Sequence, residues 1–69
     1  MTRTVEISTE FIRLDALLKK ACAAETGGEA KQHVLRGDVR VDGEVCTQRG
    51  RKIRPGMTVT IGDTEITVK

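Results

Sequence analysis

The sequence predicts an α+β domain on three observations. Phe11, Leu14, Leu17, Leu18 and Ala21 recur at three- and four-residue steps, the periodicity of an amphipathic helix. A second, shorter helical stretch runs up to Gly37, which is placed as a left-handed terminator. From Val39 onward, short β-branched runs alternate in polarity and are separated by Asp42-Gly43, Pro55-Gly56 and Gly62-Asp63, which reads as strands joined by tight turns.

Each element has its own reason. Thr4 to Ile7 is short, β-branched and alternating, and reads as a strand. The first helix follows, with Ser8 or Thr9 as its cap. On such a helix Arg13 and Lys20 stand one heptad apart, within about 20° of each other, and form a cationic stripe beside the apolar face. Asp15 falls well around the cylinder from both. In the second helix Thr26 is the cap and Glu29 sits three residues on, the spacing of a capping box. Its apolar arc is Ala30, His33 and Val34, with Lys31 on the flank. In the last hairpin a turn at Gly62-Asp63 pairs Val59 with Ile66. Residues 48–56 lack a period of their own and read as the long connection between two hairpins.

Length and composition narrow the function. A chain of 69 residues makes one domain, spanning 1–69. It buries about 60% of the surface its unfolded form exposes, which leaves no room for a deep, fully walled pocket. Hydrophobic residues make up 38% and charged residues 32%, as in a soluble globular domain. The N-terminal stretch has no apolar run of the kind a signal peptide needs, and no segment has the length of a membrane span. A cytoplasmic protein without membrane attachment is expected. Cys22 and Cys46 are far apart and lack metal-ligand spacing, so two reduced packing thiols are expected.

Catalytic constellations are not evident. His33 is the sole histidine and lies on the inward arc of a helix, where it reads as a half-buried packing residue. The Gly27-Gly28 pair at a helix start offers backbone N–H groups that suit an anion, but it lacks the Lys-Ser/Thr of a nucleotide-binding loop. A helix-capping corner and an anion contact both fit it. A non-enzymatic protein without cofactor or metal is the expectation.

The basic residues carry the functional signal. Residues 49–54 hold four cations, Arg49, Arg51, Lys52 and Arg54, with no carboxylate among them. Between Lys31 and Arg54 there are seven basic residues against three acidic ones, although the whole chain carries a net charge of only +2. One face is therefore expected to be strongly positive. Arginine outnumbers lysine in the cluster, which suits bidentate phosphate contacts. Phe11 is the only aromatic residue and reads as core. Without aromatic platforms for stacking, recognition of unpaired bases is disfavoured, and a folded or double-helical target is read by shape and charge.

At this point the order of motifs resembles a known family. FIRLDALLKKA, then TGGEAKQHVLRGDVRVDGEV, then RGRKIRPGMTVTI is similar to the RNA-binding domain named after the fourth small-subunit ribosomal protein, the S-four domain. The likeness includes its small stand-alone bacterial, YbcJ-like members. The most specific parts are Arg13-Leu14-Asp15, Gly28-x-Ala30-Lys31, Gly37-x-Val39-x-Val41-x-Gly43, and Pro55-Gly56. The resemblance implies the αL motif: two short helices packed on a small bent antiparallel β-sheet, with a basic surface that docks on structured RNA, often ribosomal or transfer RNA. It implies contacts from Arg13, Lys20, Lys31, Arg49, Arg51 and Lys52, with the Thr26-Gly27-Gly28 corner beside a phosphate. Three positions depart from the family. Thr26-Gly27 replaces the common Ser-Arg, Cys22 replaces a common helix-ending glycine, and His33 replaces an aliphatic residue. A different end to the first helix and looser packing of the second are the corresponding expectations.

The expected function is thus a non-catalytic, monomeric RNA-binding module whose partner is structured RNA and in some settings the ribosome. Two rivals stand beside it. One is a protein-docking domain of ubiquitin-like build, although the C-terminal Glu65-Ile66-Thr67-Val68-Lys69 lacks the Gly-Gly of a carrier. The other is a duplex DNA binder, for which the second helix lacks an evident base-reading set.

Overall fold

The structure, a computed structural model, describes residues 2–69. Seven strands and two helices follow the order β1 (Thr2–Val5), β2 (Ile12–Arg13), α1 (Leu14–Lys20), α2 (Gly27–Leu35), β3 (Val39–Val41), β4 (Glu44–Val45), β5 (Lys52–Ile53), β6 (Thr58–Ile61) and β7 (Thr64–Val68). Five strands form one sheet in the order β1-β7-β6-β3-β4, while β2 and β5 form a separate two-stranded ribbon. The α+β architecture expected from the sequence is present. The sheet is mixed rather than wholly antiparallel, because β1 lies parallel to β7 with Val5 opposite Val68.

Binary patterning explains the layers. Val39, Val41, Val59, Ile66 and Val68 alternate along their strands, are all buried, and face the apolar sides of the helices. Leu14, Leu17 and Leu18 from α1 and Ala30 and Val34 from α2 complete a single buried cluster with Ile53 from β5. Arg40, Thr60 and Glu65 occupy one cross-strand row between these positions, on the uncovered side of the sheet. The register of the last hairpin sets Val59 against Ile66, as expected.

Two turns meet their sequence expectations. The β3–β4 loop is Asp42-Gly43, with both residues at positive φ (51° and 87°), which matches the right-handed twist of the flanking strands. Asp42 tolerates this because its carboxylate accepts the Thr58 N–H at 2.9 Å. The helix α2 ends in a Schellman arrangement: the Gly37 N–H donates to Val34 O and the Asp38 N–H to His33 O, both at 3.1 Å.

The first helix differs from its expectation at the start and agrees with the common pattern at the end. It begins at Leu14, not after Ser8 or Thr9, and its N-cap is Arg13 in extended conformation. Residues 12–13 are used in a strand pair, so the helical period seen from Phe11 onward is partly coincidence with a β edge. At the other end the chain turns as it would with glycine. Cys22 takes φ of 59°, its N–H donates to Lys19 O at 3.1 Å, and the Ala23 N–H donates to Leu18 O at 2.9 Å. The cysteine has therefore not changed how the helix stops; it carries a left-handed backbone that glycine would adopt without the clash of a Cβ. Beside His33 the core positions of α2, Ala30 and Val34, are fully buried. The half-buried ring of His33 lies between Asp38 (3.3 Å) and Glu29 (3.6 Å), and the Glu29 carboxylate is thereby turned along the helix toward His33.

The strained position gives a direct check. Cys22→Gly should raise stability by about 0.5–1 kcal/mol, the left-handed penalty less the extra chain entropy of glycine. For a domain this small, the melting temperature should then rise by a few degrees in a thermal scan.

Candidate nucleic-acid interface

The basic segment after β4 is not the unstructured connection its lack of period suggests. Ile53 is fully buried and sits opposite Ile12 in the β2–β5 ribbon, so the two isoleucines face the core. Arg13 and Lys52 are the other pair of that ribbon. Side chains directly opposite share a face, and both of these are exposed. The alternation that buries Ile12 and Ile53 therefore presents Arg13 and Lys52 together to solvent.

The loop before β5 is fixed to α1 by its backbone. The Leu14 N–H donates to Arg51 O at 2.9 Å, and the Asp15 N–H donates to Arg49 O at 3.1 Å. These are first-turn donors that a helix leaves without intrahelical partners. The N-cap Arg13 side chain makes no capping bond; the basic loop supplies carbonyls to Leu14 and Asp15, and the Asp15 carboxylate accepts the Ala16 N–H at 2.8 Å. The Arg49 and Arg51 side chains are consequently held at the start of α1 without being needed to hold it. Both are exposed, and neither has a carboxylate within ion-pair distance among the described residues.

Arg13 is more constrained. It pairs with Asp15 at 3.5 Å, and its guanidinium lies 3.8 Å from where a Cβ would stand on Gly50. On a helix Asp15 would stand well around the cylinder from Arg13; the two are close because Arg13 precedes the helix and is extended. Lys52 is held differently, with its ammonium 4.9 Å from the centre of the Phe11 ring. Phe11 is not a core residue but a half-buried one, placed under a cation. The sequence signal for this setting is the β alternation of Phe11-Ile12-Arg13 against Arg51-Lys52-Ile53, which the helical period from Phe11 onward hides.

The remaining expected contacts form other groups. Thr26 caps α2 by accepting the Glu29 N–H at 3.1 Å, as expected. Gly27 and Gly28 occupy the first two helical positions, with their faces open: nothing lies within 4 Å of a Cβ added at Gly27. Lys31 is exposed on the next turn. Lys20 stands at the far end of α1 and its ammonium donates to the Glu6 carbonyl at 3.3 Å. With Arg13 outside the helix, the two do not form the helical stripe that a heptad spacing implies. The structure thus unites Arg13, Arg49, Arg51 and Lys52 at the start of α1, sets Thr26, Gly27, Gly28 and Lys31 at the start of α2, and leaves Lys20 apart.

Comparison with known proteins falls on the same stretch. Residues 5–69 match the S4 domain family. The chain belongs to that family. It is 38% identical over 61 residues to the probable ribosome maturation protein RlbA of Bacillus subtilis, covering 88% of this chain and 86% of that protein. It is 35% identical over 49 residues to the small ribosomal subunit protein uS4 of Bifidobacterium animalis subsp. lactis. That match takes in 71% of this chain but 24% of the ribosomal protein, so the S4 chain spans about a quarter of its ribosomal relative. Among the described residues no group of His, Cys, Asp and Glu is arranged to hold a metal ion, and no helix is long and apolar enough to cross a membrane.

The anchoring role of the ribbon is open to test. Ile53→Ala removes a fully buried side chain from beneath the basic loop and should cost about 2–5 kcal/mol. Urea titration followed by circular dichroism measures it; a loss under 1 kcal/mol would mean that the loop is not held through the core.

Proposed function

We propose that this S4-domain protein is a non-catalytic RNA-binding module that docks on structured RNA through the cations at the start of α1 and the open N-terminal turn of α2. The observation that carries the reading is the Arg13–Lys52 pair. Like charges directly opposite on a strand pair are unfavourable to folding, yet here they share an exposed face beside two further cations. A polyanion offsets that repulsion when bound. Among the described residues Arg49 and Arg51 have no carboxylate within ion-pair distance, which fits phosphate contacts that position a protein on a duplex without reading its bases. The family match supports RNA as the polyanion, and the relatives named for the small ribosomal subunit and for ribosome maturation favour ribosomal RNA over transfer RNA.

At the start of α2 the glycines have a use that packing does not explain. Alanine would fit sterically at Gly27 and Gly28, because the nearest neighbour to either added Cβ is Thr26 Oγ1, 3.9 Å from that of Gly28. Bare N–H groups at a helix N-terminus admit a phosphate closely. Lys31 adds a positive charge one turn on.

Binding through about five phosphates gives a log K that falls with log salt at a slope of about −4. Replacing Arg49, Arg51 and Lys52 together by Ala should lower affinity for a folded ribosomal RNA fragment at least tenfold and reduce that slope by about two to three. The melting temperature should hardly move, because exposed substitutions change stability by about 0.5 kcal/mol or less each. Unchanged affinity would make the loop a solvated turn. Equal competition by duplex DNA would favour the DNA reading, and a flat salt response would favour apolar protein docking.

Gly27→Ala separates folding from binding. The substitution should leave the protein as stable or more stable by about 0.4–1 kcal/mol, since alanine is the better helix former. RNA affinity should nonetheless fall severalfold, as the methyl group blocks the approach to the backbone. Higher stability with undiminished affinity would remove the α2 terminus from the interface.

A further inference from the structure

Phe11 is the chain's single aromatic residue, and its placement is not what apolar burial alone would produce. It is half-buried and stands outside the cluster formed by the buried residues and the hydrophobic side chains packed against it. Its ring instead lies beneath the Lys52 ammonium, 4.9 Å from its centroid. That distance is within the range at which the negative face of an aromatic ring attracts a cation. The register of the β2–β5 ribbon explains why such a support matters. Arg13 stands directly opposite Lys52 on the same face, and repulsion would turn the flexible lysine side chain away. Arg13 already has Asp15 as a partner, at 3.5 Å. Lys52 has no carboxylate partner among the described residues, and the ring is what holds it.

We infer that Phe11 is a positioning residue for RNA binding: its ring pre-orders the Lys52 ammonium beside Arg13, so that two phosphates of the bound strand meet two cations already in place. The inference rests on the RNA-binding reading above and adds to it a residue that itself carries no charge. Immobilising a lysine side chain on binding costs rotamer entropy, and a side chain ordered beforehand loses less of it. The ring makes that contribution without contacting RNA. On this reading the ring face under the ammonium is taken up by the cation and does not serve as a stacking platform for a base.

A double-mutant cycle tests the assignment. The parent protein, Phe11→Leu, Lys52→Ala and the double variant are titrated with the same folded ribosomal RNA fragment across a range of salt concentrations. Phe11→Leu should weaken binding about two- to fivefold, the range expected of a surface cation–π contact. The salt slope should stay unchanged, because no charge is lost. In the Lys52→Ala background the same change should have no further effect. Phe11→Tyr keeps the ring face and should retain parental affinity, which guards against a loss caused by misfolding. In the free protein, proton NMR should show the Lys52 ε-methylene shifted upfield by the ring, and the shift should vanish in Phe11→Leu.

A Phe11→Leu effect that persists without Lys52 would mean that the ring touches RNA itself or only supports the fold, and would overturn the assignment. So would parental affinity in Phe11→Leu, or a Lys52 ε-methylene with no ring shift. A parent protein that fails to bind RNA at any salt concentration would remove the RNA reading itself, and this inference with it.

Discussion

Two hydrogen bonds join the start of α1 to the cationic loop, and the local structure depends on them: Leu14 N–H to Arg51 O, and Asp15 N–H to Arg49 O. A helix of seven residues has little stability of its own. Its first-turn N–H groups need acceptors, and here a distant loop supplies them. The same bonds fix the backbone of the most cationic segment of the chain. Because carbonyls make the contact, the side chains remain exposed and chemically uncommitted. Ile53, buried directly after the loop, anchors the arrangement to the core.

This division of labour explains how a small protein holds four exposed cations at the start of one helix. Stability comes from one apolar cluster and from backbone pairing, while the charged side chains sit on positions where little depends on them. Several exposed acidic and hydroxyl groups follow the opposite rule. Asp42 holds Thr58, Asp38 and Glu29 flank His33, and Thr26 closes the first turn of α2. Acidic and hydroxyl side chains thus secure turns and helix ends, and arginine and lysine largely face outward. Where a cation does have a partner, as Arg13 has Asp15 and Lys52 has Phe11, the partner restrains its position without covering it.

Much of this was legible in the sequence, and the exceptions share a cause. The Asp42-Gly43 hairpin, the Val59–Ile66 register, the Thr26 cap and the Gly37 terminator all depend on local chemistry, and all are found where that chemistry points. The start of α1, the strand in the basic loop, the Arg13–Asp15 contact and the setting of Phe11 depend on pairing between residues about forty positions apart, as in Ile12 with Ile53. A two-residue strand is too short to display a period, so the sequence alone reads Phe11 onto a helix face and the loop into no element. Cys22 shows the converse: an unfavourable residue occupies a left-handed position because the surrounding hydrogen bonds outweigh its preference.

The parallel pairing of β1 with β7 has a consequence for how the chain acquires its structure. Val5 lies beside Val68, so that contact closes a loop of 63 residues. The hairpins β3–β4 and β6–β7 and the C-terminal ends of the two helices need only neighbours, and can form while most of the chain is still disordered. The edge strand has no partner until the last strand exists. During synthesis, therefore, the basic loop and its helix can assemble before β1 docks, and completion of the sheet becomes the slow, late step that a high separation between partners imposes.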